Sequence, residues 1–442
     1  MKQTYLNKLE YFKIINILSG YCKTYVGKNL VANLVPSNNK DEVLKLLQET
    51  EEAVNLTYRI STAPMSEIAN ISENLLTLES FGVLSIKSIL EIKNILQLSQ
   101  ELKNYFYTET IDTSSFTLLE QYFSKLYTNK NIVEKISKII IDENTIADDA
   151  SSNLKIIRRK QRNLEQDIKD KLNSFIHSSN YSKYIQENII TIKNDRYVIP
   201  VKEEYRSMIK GFVHDISSSG STVFIEPISI FETNNDINNL KIEEHLEIEK
   251  ILKDLSLLLS PITNELKTNI ETIGYLDYIF AKSSYSKDIK GITPNINDNK
   301  NIKLINAKHP LIDQNKVVPI SVNIGEDFST LVITGPNTGG KTVTLKTIGL
   351  LVCMACSGLN IPADEQSSIF VFDEIFADIG DDQSISESLS TFSAHMTNIV
   401  DIVNTATDKS LILLDELASG TDPLEGANLA ISILDYFKNI HA

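Results

Sequence analysis

The stretch Gly335-Pro336-Asn337-Thr338-Gly339-Gly340-Lys341-Thr342 has the G-x-x-x-x-G-K-[ST] spacing of a loop that wraps phosphates. Its glycines let successive backbone N–H groups turn inward on phosphate oxygens, and a helix starting at the lysine adds the partial positive charge of its N-terminus. In that arrangement Lys341 reaches the β and γ phosphates of ATP and Thr342 holds Mg²⁺, so ATP and Mg²⁺ are the expected cofactors. The apolar run Leu331-Val332-Ile333-Thr334 is predicted as the strand entering the loop and Thr344 to Met354 as the helix leaving it.

A metal-binding carboxylate belongs at the end of a buried strand, with a following glutamate to polarise the attacking water. Two Asp-Glu pairs qualify: Asp373-Glu374 after Ile369-Phe370-Val371-Phe372, and Asp415-Glu416 after Leu411-Ile412-Leu413-Leu414. Four aliphatic residues in a row read as a strand covered on both faces, which selects Asp415 as metal ligand and Glu416 as catalytic residue. Asp373-Glu374 is then a strand end and turn. Cys353 and Cys356 have C-x-x-C spacing, but without a second pair and inside an apolar helix they read as packed thiols. His214 beside Asp215 lacks a recognisable nucleophile, so a structural hydrogen bond is expected there.

The elements that must position these residues occupy a chain of 442 residues, longer than the ~250 to 300 residues over which one core grows. Two or three domains follow. Three cysteines give no disulfide framework, and no segment approaches the ~20 apolar residues of a membrane span, which together predict a reducing, cytoplasmic setting without membrane contact. The net charge of −15 argues against nucleic acid as a partner, yet residues 152–210 are a basic stretch within this acidic chain. Solvated helices would account for that charge, and so would a nucleic-acid surface.

Residues 1–150 read as a helical lever or core, broken near Pro36 to Asn39 and Ser61 to Pro64. From Leu154 the positions Ile157, Leu164, Ile168, Leu172 and Phe175 recur at threes and fours, and Ile237, Leu240, Ile248, Ile251 and Leu255 form a second such series. Between them the period is two, over Ile189 to Ile192, Tyr197 to Val201, Phe212-Val213 and Val223 to Ile225, with a turn at Asn194-Asp195. Helix out, strands at a tip and helix back describe an arm. The expected division is a helical lever over 1–150, a basic clamp arm with a β tip over 151–235, returning helices over 236–295, and an α/β domain with a mostly parallel sheet over 296–442. Arg158, Arg159, Lys160, Arg162, Lys193 and Arg196 are the candidate nucleic-acid contacts.

The motifs together resemble the MutS family. They are Gly335 to Thr342 followed by Val343, Ile375-Phe376-Ala377-Asp378-Ile379-Gly380-Asp381-Asp382-Gln383-Ser384, Ser390-Thr391-Phe392, and Asp415-Glu416 with Gly420-Thr421-Asp422. Arg196 to Lys202, His214 to Pro227, Lys308-His309-Pro310-Leu311 and the opening from Leu9 to Glu52 resemble its MutS-two branch. The resemblance implies a multidomain protein: an α-helical lever with a coiled-coil arm and small β tip, then a P-loop ATPase domain of ABC type. It implies a homodimer in which Ser390 faces the partner's nucleotide, with Val343 completing the ATP-binding loop. It further implies a clamp on branched or damaged DNA, in suppression of recombination, or on the rRNA of collided ribosomes; the alternatives are a mechanical ATP-gated dimeriser with a protein-binding arm and a catalytically inactive fragment.

Phe224-Ile225-Glu226 mimics the family's mismatch-reading Phe-x-Glu but lies at a strand end, where core packing is expected. Branch members carry a C-terminal Smr domain credited with nuclease activity, which these 442 residues do not include, and a further sheet strand with a switch histidine is expected after Ala442. His441 is not assigned that role. The ATPase domain is therefore expected to be incomplete and to turn over poorly.

Overall fold

The computed structural model describes residues 1–109, 112–336, 339–380, 388–417, 422–440 and 442, with 388–394 described by backbone alone. The chain divides into two compact units: Met1–Asn70 with Ile95–Thr128 and Glu265–Ala442, and Ile71–Asn94 with Asn129–Asn264.

The second unit contains the basic stretch. Its helix Ser152–Ile176 starts where the Ser151 hydroxyl accepts the amide of Leu154, capping an otherwise unpaired N–H. Leu154, Ile157, Ile168, Leu172 and Ile176 fall on one buried face. The helix Ile228–Leu259 runs antiparallel to it: Ser151 and Asn153 bond Glu247, Arg158 bonds Glu244, and Ile168 to Ile176 share a core with Ile230 and Ile237. Glu247, not the neighbouring Ile248, is buried on that face, its carboxyl held below the usual range by Asn153 and Ser151.

Between the helices stands an antiparallel sheet of Thr191–Lys193, Arg196–Lys202, Gly211–Ile216 and Thr222–Pro227, the last two exchanged in spatial order. Asn194 (φ 51°) and Asp195 (φ 60°) make the tight turn whose twist matches the strands on either side. Ile199, Val201, Val223 and Ile225 point into one core with the ends of both helices, at about 1.5–3 kcal/mol for each such side chain buried.

In the first unit the helices Gln3–Lys8, Tyr11–Ser19, Tyr25–Ala32, Lys40–Arg59 and Thr263–Asp288 pack with the C-terminal region. The expected mostly parallel sheet is not what forms. A four-stranded sheet, in the order Asn295–Asn297, Ser368–Phe370, Ile302–Ala307, Ile320–Ile324, is mixed: only the first pair is parallel. Ile302–Ala307 and Ile320–Ile324 have no helix between them, so the chain returns antiparallel. A separate parallel pair, Glu374–Asp378 with Ser410–Leu414, does have its crossover helix, Ser388–Thr405. Ile369 to Phe372 is thus not one strand. The chain turns after Phe370, and Glu374 opens the next strand.

Leu331 to Thr334, expected as a strand, is exposed and irregular. No strand among the described residues pairs with it, and a strand without a ladder leaves its backbone to water.

Candidate functional site

The loop feeds the helix Lys341–Cys356, whose last ten residues, Thr347 to Cys356, are buried. Gly349 is required there by contact: a Cβ would lie 2.6 Å from both Leu413 and Leu9, so glycine lets the helix close onto strand Ser410–Leu414. Gly340 is required by conformation. It caps the helix with φ 79°, and a Cβ there would meet nothing within 4 Å. The backbone at the helix start is therefore open, as a phosphate cradle needs to be.

Lys341 lies at the first position of the helix and donates from Nζ to the Gly335 carbonyl at 2.8 Å, across the mouth of the loop. Gly339 donates to the Pro336 carbonyl at 2.9 Å, and Val343 is exposed. Asn337 and Thr338 lie outside the described residues. The Thr342 hydroxyl donates to Asp415 Oδ2 at 2.5 Å, which joins the helix start to the end of the strand Ser410–Leu414. Glu416, next in the chain, is exposed with φ 47°, a left-handed conformation that costs a non-glycine residue about 1–3 kcal/mol. It turns the chain away from the strand. Ser390 lies in the helix Ser388–Thr405, but its side chain lies outside the described residues.

These groups fit Mg²⁺ and a nucleotide by their chemistry: a hydroxyl and a carboxylate already in contact are hard oxygen donors, and a lysine at a helix start supplies the positive field. Sequence reasoning passed over Asp378. This carboxylate, 4% exposed, ends the strand Glu374–Asp378 and accepts from Lys8, His395 and Asn398. A signal existed: Ile375-Phe376-Ala377 followed by Asp repeats the pattern of an apolar run ending in Asp that selected Asp415.

In the second unit the candidate cations differ. Arg158 is committed within the chain, to Glu244 and Asp148 at 2.8 Å and to the Ile146 carbonyl at 2.7 Å. Arg162 pairs with Asp148 at 2.9 Å, and Lys193 pairs with Asp215 at 2.8 Å while lying over the Phe224 ring. Arg196 pairs with buried Glu226 at 2.6 Å, bonds Asn235 and stacks over Phe231, so its guanidinium is a fold-holding group. Arg159 and Lys160 are exposed. His214 Nε2 bonds Glu226 Oε2 at 2.6 Å, and Glu226 and Ile225 are core, whereas Phe224, expected to be core with them, is only partly buried. Cys353 and Cys356 are buried free thiols, Cys356 pushed up to about 12 by burial. Among the described residues no group of three or more His, Cys, Asp or Glu side chains gathers in a metal-holding arrangement.

A helix start whose threonine meets the aspartate that follows a parallel strand defines the class: an α/β domain within the same compact unit as the N-terminal helices. Residues 331–442 match the family model of MutS domain V. The chain is 47% identical to "Endonuclease MutS2" of Acetivibrio thermocellus over 99% of its own length, 44% to that of Clostridioides difficile over 100%, and 46% to that of Clostridium perfringens over 99%. It belongs to the MutS family. The chain spans about 55% of the length of these relatives.

Proposed function

We propose that this chain is an ATP-binding clamp of the MutS family, in which ATP closes a homodimer and closure moves the basic segment on a nucleic-acid partner, either branched DNA or the rRNA of collided ribosomes. The observation that supports it most is the Thr342–Asp415 contact, because it joins two side chains 73 residues apart that would both be ligands of one metal. The nucleotide with Mg²⁺ would supply the binding energy that favours the closed dimer. Lys341 and the N-terminus of its helix would hold the β and γ phosphates, Thr342 and Asp415 the metal, and Glu416 the attacking water. Ser390 would meet the partner's nucleotide. The setting is cytoplasmic in this reading; among the described residues no helix is long and apolar enough to cross a membrane.

The reading in which the arm grips protein gains support from one observation. Several candidate cations are already paired, while Met208, Phe212 and Ile216 stand exposed on and beside the sheet. Salt separates the two: contacts to phosphate weaken steeply with ionic strength, and an apolar contact does not. Lys341→Ala tests the common core of both readings. ATP binding with Mg²⁺, measured by calorimetry, should be lost, and an unchanged affinity would reject the site.

A further inference from the structure

Asp378 has no part in the roles above, yet it touches the main chain of the proposed metal ligand. It lies opposite Leu414 in the parallel pair, and its carbonyl accepts the amide of Asp415 at 2.9 Å. Its carboxylate accepts three donors from two other elements: Lys8 Nζ at 2.9 Å and Asn398 Nδ2 at 2.8 Å on Oδ1, and His395 Nδ1 at 2.8 Å on Oδ2. Lys8 ends the N-terminal helix, while His395 and Asn398 lie one turn apart on the helix Ser388–Thr405. The tie is repeated further along, by Lys2 Nζ to Asp401 at 2.5 Å and Tyr5 Oη to Asn398 at 3.3 Å.

Burial works against ionisation of Asp378, but the bonds from Lys8, His395 and Asn398 more than offset it and leave the carboxyl below its usual range. A carboxylate so enclosed tolerates few geometries: sliding the helix by a turn would remove two of its three donors and leave a buried charge exposed to no water.

We propose that Asp378 is a positioning residue of the nucleotide site, its carbonyl fixing Asp415 and its carboxylate fixing the helix Ser388–Thr405 and the N-terminal helix to the same strand end. This rests on the reading of Thr342 and Asp415 as metal ligands. The donors to the Asp378 carboxylate come from the N-terminal helix and the helix Ser388–Thr405, so metal-independent contact with phosphate is expected not to depend on it. The structural effect reaches the metal and, through the helix that carries Ser390, the dimer contact.

The test compares ATP affinity with and without Mg²⁺ in the 442-residue chain and in Asp378→Asn, which keeps the main-chain carbonyl but removes the negative charge and replaces one accepting oxygen with a donor. The expected result is a metal-free affinity within twofold of the parent and at least a tenfold loss of the tightening that Mg²⁺ gives. Lys8→Met, which leaves the carboxylate and two donors in place, should show the same split at about threefold, and serves if Asp378→Asn does not fold. Unchanged tightening in both variants overturns the proposal. So does an equal loss with and without Mg²⁺ accompanied by a lower melting temperature, which would mean support of the fold alone. Absence of Mg²⁺-dependent ATP binding in the parent chain would instead reject the site itself.

Discussion

Glu226 in one unit and Asp378 in the other are both sealed carboxylates that accept a cation, a histidine and an asparagine, yet they organise the chain on different scales. Glu226 takes Arg196, His214 and Asn234, all within 30 residues of it and all on the small sheet or the first turns of the helix that follows. Asp378 takes Lys8 across 370 residues, and His395 and Asn398 from the crossover helix. The first network can form as soon as its hairpins form, because little chain must be closed to bring the donors in. The second exists only once the N-terminal helix has met the strand pair. Similar chemistry thus serves local folding in one place and the joining of distant elements in the other.

Removing the acceptor in the first network should have the largest effect on stability. Glu226→Ala leaves Arg196, His214 and Asn234 without their shared acceptor, at a cost of about 3–5 kcal/mol to the second unit. Hydrogen exchange should show the loss in the amides of Arg196–Lys202 and Thr222–Pro227, with ATP affinity unchanged. If Glu226→Ala reduced Mg²⁺-dependent ATP binding as much as Asp378→Asn, the contrast between local and long-range networks would fail.

A buried charge without such a network sharpens the comparison. Lys282 is fully buried, its Nζ has no hydrogen-bond partner among the described residues and lies 4.4 Å from the Tyr278 ring centroid, and burial pulls its pKa down to about 8. Between pH 8 and 10.5 the unfolded chain therefore holds a proton that the folded chain has released, so stability from this site rises with pH across that window. Below pH 8 the site costs the fold about 3 kcal/mol, from the shift times ~1.4 kcal/mol per pH unit. Lys282→Met should raise stability at pH 7 by about 2–3 kcal/mol and flatten the alkaline rise in urea midpoints. A lower midpoint in the variant would mean that the ammonium is satisfied after all.

Local patterns were the part of this molecule that could be read in its sequence. Leu154, Ile157, Ile168 and Leu172 announce the face of one helix because packing repeats every three or four residues, and Asn194-Asp195 announces a hairpin because few residue pairs accept two positive φ angles. The Gly340-Lys341-Thr342 end of the loop was legible for the same reason: its constraint lies within a few residues. What depends on a distant partner was not. Leu331 to Ile333 have strand-forming side chains but no ladder among the described residues, and Ser368–Phe370 inserts between Asn295–Asn297 and Ile302–Ala307, an order that no periodicity encodes. Arg158 looked like its neighbour Arg159, because only folding brings Glu244 of the facing helix and Asp148, ahead of the helix start, to the one and not to the other.

That last distinction gives the smallest predicted effect on stability and the finest test of the basic segment. Arg158 is half-buried and divides its guanidinium among two carboxylates and a carbonyl, whereas Arg159 and Lys160 project from the exposed side of the same helix. Arg158→Ala should cost about 1–3 kcal/mol of stability, since it strips charged hydrogen bonds from Glu244 and Asp148, and should leave the salt dependence of nucleic-acid binding nearly unchanged. Arg162→Ala, at an exposed pair with Asp148, should cost less than about 1 kcal/mol. Arg159→Ala with Lys160→Ala should change stability by no more than ~0.5 kcal/mol. If phosphates are the partner, this double variant should lower the slope of log affinity against log salt by about two, one for each lost contact. A slope that fell with Arg158→Ala and stayed constant in the double variant would show that the ion pairs open on binding, and the division between fold-holding and partner-facing cations would then be wrong.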